Sequence, residues 1–452
     1  MLAYLALQLG VGIWVSRRIR NEADYLLAGR SLGYALATFS IFATWFGAET
    51  LVGSAGTAYR TGVSLGNAEP FGYGLSLILT GILFAGPLWR RRLTTLADLY
   101  RQRYSVAVER VAAIVLIPGS IFWAAAQIRA FGYVLSTTSS ITPEVAIGCA
   151  AGFTILYTMF GGLLADATND LIQSVVICVG LAVLLGGVLL ALPESGGTGI
   201  MSWTGPVTLF PSGMSPWAVA EEWAIPICGS VIAAELVGRI IATRTPNVAR
   251  RSMMMAGALY IVIGSIPLII GVLGQRIVPT LAEPEQVIPA VAQALLPTFF
   301  YAVFAGSLVA AILSTVDSTL LISSGLMSHN IIIPVFRITD ERTKVRLARG
   351  GVLLFGAVAY VQAIRAEGVF ELVESASAFG SSGLLISACF GLFTSLGGPY
   401  AAVLTIATGL VTYLSATFGG FAYPYLLSLG FSLLMYVVVA VLERFVERVR
   451  NV

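Results

Sequence analysis

Charge is what this sequence lacks most: 11% of its 452 residues are Asp, Glu, Lys or Arg, while 57% are hydrophobic. Soluble domains carry roughly 25% charged residues, so water is not the main solvent of this surface. Histidine and lysine each occur once, as His329 and Lys344. H-E-x-x-H does not occur and the chain has a single histidine, so a zinc-protease motif is missing and a membrane-embedded enzyme is the weaker reading. Cysteine is sparse too. Cys149, Cys178, Cys228 and Cys389 stand far apart inside apolar runs; this is neither a disulfide framework nor a zinc spacing, and they read as packing residues of membrane helices. No stretch is long and polar enough for a separate soluble domain, and a net charge of +3 carried on short loops excludes a nucleic-acid binder.

What the chain has instead is long apolar runs. A spanning helix uses ~20 residues, and thirteen stretches qualify: 1–15, 32–58, 70–89, 111–139, 143–160, 167–192, 216–242, 252–273, 297–327, 348–364, 370–396, 400–418 and 423–442. Arginines cluster after the first run (Arg17, Arg18, Arg20), the third (Arg90, Arg91, Arg92, Arg101, Arg103), the seventh (Arg244, Arg250, Arg251), the ninth (Arg337, Arg342) and the last (Arg444, Arg448, Arg450). The alternate loops hold mainly Arg60, Arg276 and Arg365. By the positive-inside rule the amino terminus is outside and the carboxyl terminus inside. The first run carries its charges after the apolar segment and has no small-residue cleavage site, so it reads as an anchor helix rather than a signal peptide. Its ~15 residues are short for a full crossing, which leaves room for a start upstream of Met1. The excess of arginine over a single lysine suggests GC-rich coding, and with it a bacterial source and a multi-pass protein of the cytoplasmic membrane.

Two spans are interrupted in the same way. The second breaks at Trp45-Phe46-Gly47-Ala48-Glu49 and the seventh at Ile225-Pro226-Ile227-Cys228-Gly229-Ser230. They lie an odd number of spans apart and so cross in opposite directions, which makes spans two to six and seven to eleven candidate inverted repeats. Either break alone reads as a packing kink, since Gly and Pro are common in membrane helices; paired breaks in corresponding positions point to a transporter binding site. The resulting organisation is an anchor helix and loop (1–31), a first repeat (32–192), a second repeat (193–396) and two accessory spans with a short tail (397–452).

Ionisable groups at membrane depth are expensive and need a reason. Glu49, Asp170, Glu235, Asp317 and Glu374 look embedded. In the ninth span, Ala311, Ser314, Thr315 and Ser318 share one helical face at three- and four-residue spacing, with Asp317 beside it. Hydroxyl, carbonyl and carboxylate oxygens together suit a hard monovalent cation; the plainer reading is Ser and Thr bonding back to the preceding turn. Glu235 is open to two readings, a contribution to the solute site or an ion pair with Arg239 one turn on. Trp45, next to a break, is a candidate for function, whereas Trp89, Trp203 and Trp217 read as packing or interfacial anchors. His329, just past the ninth span, fits a helix-end role better than a proton relay.

Several motifs occur in order: Asp24-Tyr25-Leu26-Leu27-Ala28-Gly29-Arg30-Ser31-Leu32-Gly33, Ala43 through Gly53, Leu156-Tyr157-Thr158-Met159-Phe160-Gly161-Gly162-Leu163 followed by Asn169-Asp170-Leu171-Ile172-Gln173, and the ninth-span Ser-Thr pattern. Together they resemble the sodium:solute symporter family, from about residue 24 to 330. The resemblance implies an all-α membrane protein with the LeuT-type five-plus-five inverted repeat, symport of a small organic solute, sodium as the coupling ion and no other cofactor. It places a sodium site at the carbonyls of Ala43, Phe46 and Ala311 with the hydroxyls of Ser314 and Thr315, and a second at Asp170, Ser314, Asp317 and Ser318. Asn169 stands where the family usually has Thr. Within the family the chain is most similar to the high-affinity choline transporters, whose aromatic cage matches Trp45, Tyr73 and Trp123; the fourth cage position falls on Ala233. A quaternary ammonium is held by ring faces because it donates no hydrogen bonds. The smaller Ala233, together with Glu49 and Glu235, widens the expected solute to cationic or zwitterionic amines. The alternatives are an amino acid such as proline, another small metabolite, or a transporter-fold solute sensor; the partners expected are sodium, the solute and the bilayer.

Overall fold

The computed structural model describes the backbone of residues 2–138, 141–191, 207–208, 213–281, 283–366 and 369–450. These residues are helical apart from short connections and one parallel pair of two-residue strands, β1 (Val63–Ser64) and β2 (Val207–Thr208). Helices α1 (Leu2–Ser16) and α2 (Glu22–Leu27) lead into α3 (Tyr34–Trp45) and α4 (Ser54–Thr61), the two halves of a span bent by 55°. Next come α5 (Phe71–Leu79) and α6 (Ala85–Arg90), joined through a π-helical turn, then the short α7 (Ala97–Arg103), α8 (Val106–Thr138) and α9 (Pro143–Ala191). A second broken span is made of α10 (Pro216–Ser230) and α11 (Ala234–Ala242), followed by α12 (Pro246–Ile277), α13 (Val287–Leu295), α14 (Thr298–Met327) and α15 (Ile333–Phe336). The chain closes with α16 (Glu341–Arg365), α17 (Val369–Ala378), α18 (Ser381–Phe393), α19 (Pro399–Phe418) and α20 (Pro424–Arg450). Among the described residues ten helices are long and apolar enough to cross a membrane, or eleven when the bent pair α3 and α4 counts as one.

Helix starts follow from local chemistry. Asn21, Ser215, Thr245 and Asp340 cap α2, α10, α12 and α16 by accepting from backbone N–H groups, which satisfies donors that have no intrahelical partner. Pro216 and Pro246 occupy the first helical turn, where the missing N–H costs nothing. Helix α14 is buried without interruption from Ser307 to Leu321. A helix enclosed on every side belongs at the centre of a bundle, and α14 carries Ser314, Thr315, Asp317 and Ser318 into that centre.

Two sequence expectations need correction. The break in the seventh span falls at Val231–Ala233, after Ser230, while Pro226 lies inside α10. The carbonyl of Val231 at this break accepts from Thr80 Oγ1 at 2.8 Å, so the group released by the helix end is satisfied by a neighbouring span. The short loop expected between residues 160 and 167 is absent. At 1.5 Å per residue a straight helix the length of α9 would reach roughly 74 Å, far beyond the ~30 Å hydrocarbon core, and it turns instead at Gly162 alone (φ 58°, ψ 179°). A Cβ at Gly162 would lie 2.9 Å from both Cδ2 and O of Tyr25.

The loops that the arginine pattern assigns to one side do lie together. Arg30 donates to the carbonyls of Ile241 (3.0 Å) and Leu93 (2.7 Å), Arg244 to Ser31 (2.6 Å), and Arg103 to Leu396 and Gly397 (both 3.0 Å). His329 sits at this end between Glu22 (3.0 Å) and Asp98 (3.5 Å), as its helix-end reading anticipates.

Candidate cation and solute site

The broken span α3/α4 and the buried α14 meet at Ala43. Where α3 ends, Phe46 leaves the helical region (φ −91°, ψ 75°), turning the backbone out of its own hydrogen-bond ladder. Ser314 Oγ lies 2.7 Å from the Ala43 carbonyl and 2.8 Å from that of Ala311; Thr315 Oγ1 lies 3.0 Å from the Thr44 carbonyl and 3.4 Å from that of Ala311. Each hydroxyl has one proton and two carbonyls within reach, so it donates to one of them at a time. Carbonyl and hydroxyl oxygens converging from two helices are the donor set that a hard cation takes. Ala43, Ala311, Ser314 and Thr315 are thus brought together, Thr44 joins them, and Phe46 stands at the break with its ring against Phe42 and Tyr260.

One turn along α14 the chemistry changes. Arg239, fully buried, sits among Asp166 (2.7 Å), Asp170 (3.5 Å), Ser318 Oγ and Ser40 Oγ (3.0 Å). Ser40 in turn donates to Asp170 at 2.6 Å, and Ser318 to the Ser314 carbonyl at 2.7 Å. Asp170, Ser314, Asp317 and Ser318 are therefore neighbours, and the sequence reading missed two further members, Asp166 and Arg239. Asp317 accepts from the Ser318 N–H at 2.9 Å, and its other oxygen has no hydrogen-bond partner in the structure. Beside it a void of about 10 Å³ is bounded by Tyr157, Thr158, Gly161, Gly162, Asp166 and Leu321, close to the ~10–15 Å³ that one water-sized particle needs. Asn169 donates to the Tyr157 hydroxyl, so the position that departs from the family pattern faces the same cluster.

The aromatic candidates also converge. The rings of Trp45 and Trp123 are 5.1 Å apart and those of Tyr73 and Trp123 6.1 Å, with Tyr73 hydrogen-bonded to Ser377 at 2.9 Å. Two cavities of about 50 Å³ each flank this group. One is lined by Ser120, Trp123, Ala233, Glu235, Ser377 and Phe379; the other by Glu49, Asn67, Glu69, Tyr73, Glu222 and Pro226. Of the two readings of Glu235, the ion pair is not formed. Its carboxylate accepts from Ser120, while Arg239 meets only the Glu235 backbone carbonyl, at 3.4 Å, and turns its charge to Asp166 and Asp170. Glu49 accepts from Gln127 at 2.9 Å and from the Gly47 N–H at 3.2 Å. Glu69, which the sequence reading passed over because it immediately precedes a span, is buried and accepts from Thr50 and Tyr260, both at 2.6 Å. Trp203 and the side chain of Glu374 lie outside the described residues.

The chain is 28% identical to the high affinity choline transporter 1 of Homo sapiens, over 95% of this chain and 78% of that protein. It is 27% identical to the Drosophila melanogaster high-affinity choline transporter 1, over 82% of this chain and 62% of that relative's length. The sodium/pantothenate symporter of Escherichia coli is 25% identical over 77% of this chain and 74% of that protein. Among solved structures, a Na+-coupled sialic acid symporter in a substrate-bound outward-open state superposes with a TM-score of 0.86 at 17% identity, covering 98% of this chain and 96% of that one. The nucleobase-cation-symport-1 family transporter Mhp1 superposes with a TM-score of 0.62 at 16% identity, over 95% of this chain and 96% of that one. Both likenesses concern the fold, a LeuT-type transporter architecture. Residues 25–409 match the model of the sodium:solute symporter family, a family of secondary transporters, and the chain belongs to that family.

Proposed function

We propose that this protein is a sodium-coupled symporter that imports a small organic amine, cationic or zwitterionic and choline-like in its cationic group, by alternating access. The observation that carries the sodium half is the reach of Ser314 and Thr315 from α14 to the carbonyls of Ala43 and Thr44 at the break of α3. A cation held by Ala43, Phe46, Ala311, Ser314 and Thr315 ties the broken span to the central helix. It thereby favours the conformation in which the two are close, and a ligand shifts such an equilibrium only by its differential affinity for the two states. The second cation position is Asp170, Ser314, Asp317 and Ser318, supported by the unpartnered Asp317 oxygen and the void beside it.

The solute occupies the space among Trp45, Glu49, Tyr73, Trp123, Ala233 and Glu235. Three ring faces suit an ammonium group, and buried carboxylates beside them favour positive over neutral solutes. That choice sets the amine reading above sugars. A membrane topology of thirteen crossings with the amino terminus outside, in a bacterial cytoplasmic membrane, completes the reading. The test is uptake into proteoliposomes of a panel of choline, betaine, proline, a sugar and a monocarboxylate, with and without a sodium gradient. Sodium-driven accumulation of an amine is expected; accumulation of the sugar or monocarboxylate with no response to any amine would overturn the solute assignment.

A further inference from the structure

The two cavities beside the aromatic group carry carboxyl groups at both ends. One holds Glu235; the other holds Glu49 and Glu69, with Glu222 on the same wall. Among the described residues no Lys or Arg side chain lies within ion-pair distance of Glu49, Glu69 or Glu235. Glu69 is 8% exposed, and while its Oε1 accepts from Thr50 and Tyr260, its Oε2 is enclosed and has no hydrogen-bond partner. An enclosed carboxylate oxygen without a donor is costly, and a quaternary ammonium has no N–H to offer it.

The cavities share walls. Along α10 the lining runs from Glu222 and Pro226 in one to Gly229 in the other, and along α17 from Val373 to Ala376 and Ser377. Displacements of one to two helical turns separate them by roughly 5–11 Å, and the Trp123 and Tyr73 rings with the Tyr73–Ser377 hydrogen bond lie between. One water needs ~10–15 Å³ on this measure, so each void of about 50 Å³ takes a few waters, which is room for one amine-bearing end of a solute.

We propose that the solute is a linear polyamine. One protonated amine sits in the Glu49 and Glu69 cavity and donates to Glu69 Oε2, the alkyl chain crosses the aromatic rings, and the second amine faces Glu235. Ala233 in place of a bulky ring leaves the second cavity open for that far end. This assignment rests on the symporter reading above, keeping its cationic amine and replacing the choline-like group with N–H-bearing ammonium ends.

The test uses the full chain in proteoliposomes, with radiolabelled spermidine and 1,4-diaminobutane set against choline, proline and butylamine. Sodium-driven uptake of a polyamine is expected, with butylamine and choline competing at least tenfold more weakly. The Glu69→Gln variant should raise the half-saturating polyamine concentration about tenfold, the size of one charge-assisted hydrogen bond, and Glu235→Gln provides the same reading at the other end should the first variant fold poorly. Sodium-driven uptake of choline or proline that no polyamine competes with would overturn the polyamine assignment and leave the symporter reading in place. Uptake of a sugar alone would overturn both.

Discussion

Two stretches of α14, one turn apart, handle positive charge in opposite ways. Around Ser314 and Thr315 the oxygens are neutral, drawn from hydroxyls and from the carbonyls of Ala43, Thr44 and Ala311. Around Asp317 and Ser318 there are three carboxylates, and a guanidinium from α11 already lies among them. Neutral dipoles hold a cation loosely enough to release it on each cycle. Buried carboxylates hold one so strongly that an empty site is itself costly. The contrast suggests a division of labour in which the first region loads and unloads and the second, fixed by Arg239, is chiefly structural, exchanging a small ion only on the Asp317 side.

The largest effect should come from breaking the second region. Arg239→Met leaves Asp166 and Asp170 without their cation, and losing one partner of a buried pair costs ~3–5 kcal/mol; thermal unfolding in detergent should show a protein that loses most of its stability. A variant that melts within a degree or two of the parent would mean that the guanidinium does not hold the cluster together. A smaller effect is expected from Ser318→Ala, which removes one hydroxyl from the Arg239 and Asp166 network and should cost ~1–3 kcal/mol while raising the sodium concentration for half-maximal uptake by no more than a few-fold. A shift of tenfold or more would move the loading site down the helix.

The smallest effect sharpens the comparison from outside the membrane. Burial tends to raise the Asp98 carboxyl, but His329 and the N–H groups of Thr94 and Thr95 outweigh it and hold the group below the usual carboxylate range. A carboxylate depressed in the folded state stabilises at neutral pH, and that contribution is lost as pH falls below about 4. His329→Gln should therefore move the onset of acid unfolding to higher pH, followed by fluorescence between neutral and acidic conditions. An unchanged onset would show that the backbone N–H groups alone set the Asp98 carboxyl.

Much of this arrangement is legible in the sequence because membrane burial makes each polar residue conspicuous. The Ser-Thr face of α14, the break after Trp45 and the trio Trp45, Tyr73 and Trp123 all stand out against apolar runs, and the structure brings them together. What was hidden has identifiable causes. Glu69 sits at the edge of a hydropathy window, so it reads as loop although it folds inward. Asp166 reads as part of a connection because the turn at Gly162 takes a single residue instead of a loop. Arg239 has Glu235 as its obvious helical neighbour, whereas its true partners come from α9, far away in sequence, and no local spacing rule reaches them. The sequence points to a break in the seventh span across Ile225–Ser230, but a proline inside a helix can be tolerated when neighbours satisfy the freed carbonyls, and the chain unwinds after Ser230 instead.

The central claim is that the neutral oxygens at the α3 break are where sodium couples to solute. The Ser314→Ala, Thr315→Ala double variant in proteoliposomes, titrated with sodium at fixed solute, tests it most directly. The account predicts that the sodium concentration for half-maximal uptake rises at least tenfold, about 1.4 kcal/mol, and that sodium-stimulated uptake falls with it. Uptake by the double variant with the sodium dependence of the parent would contradict it.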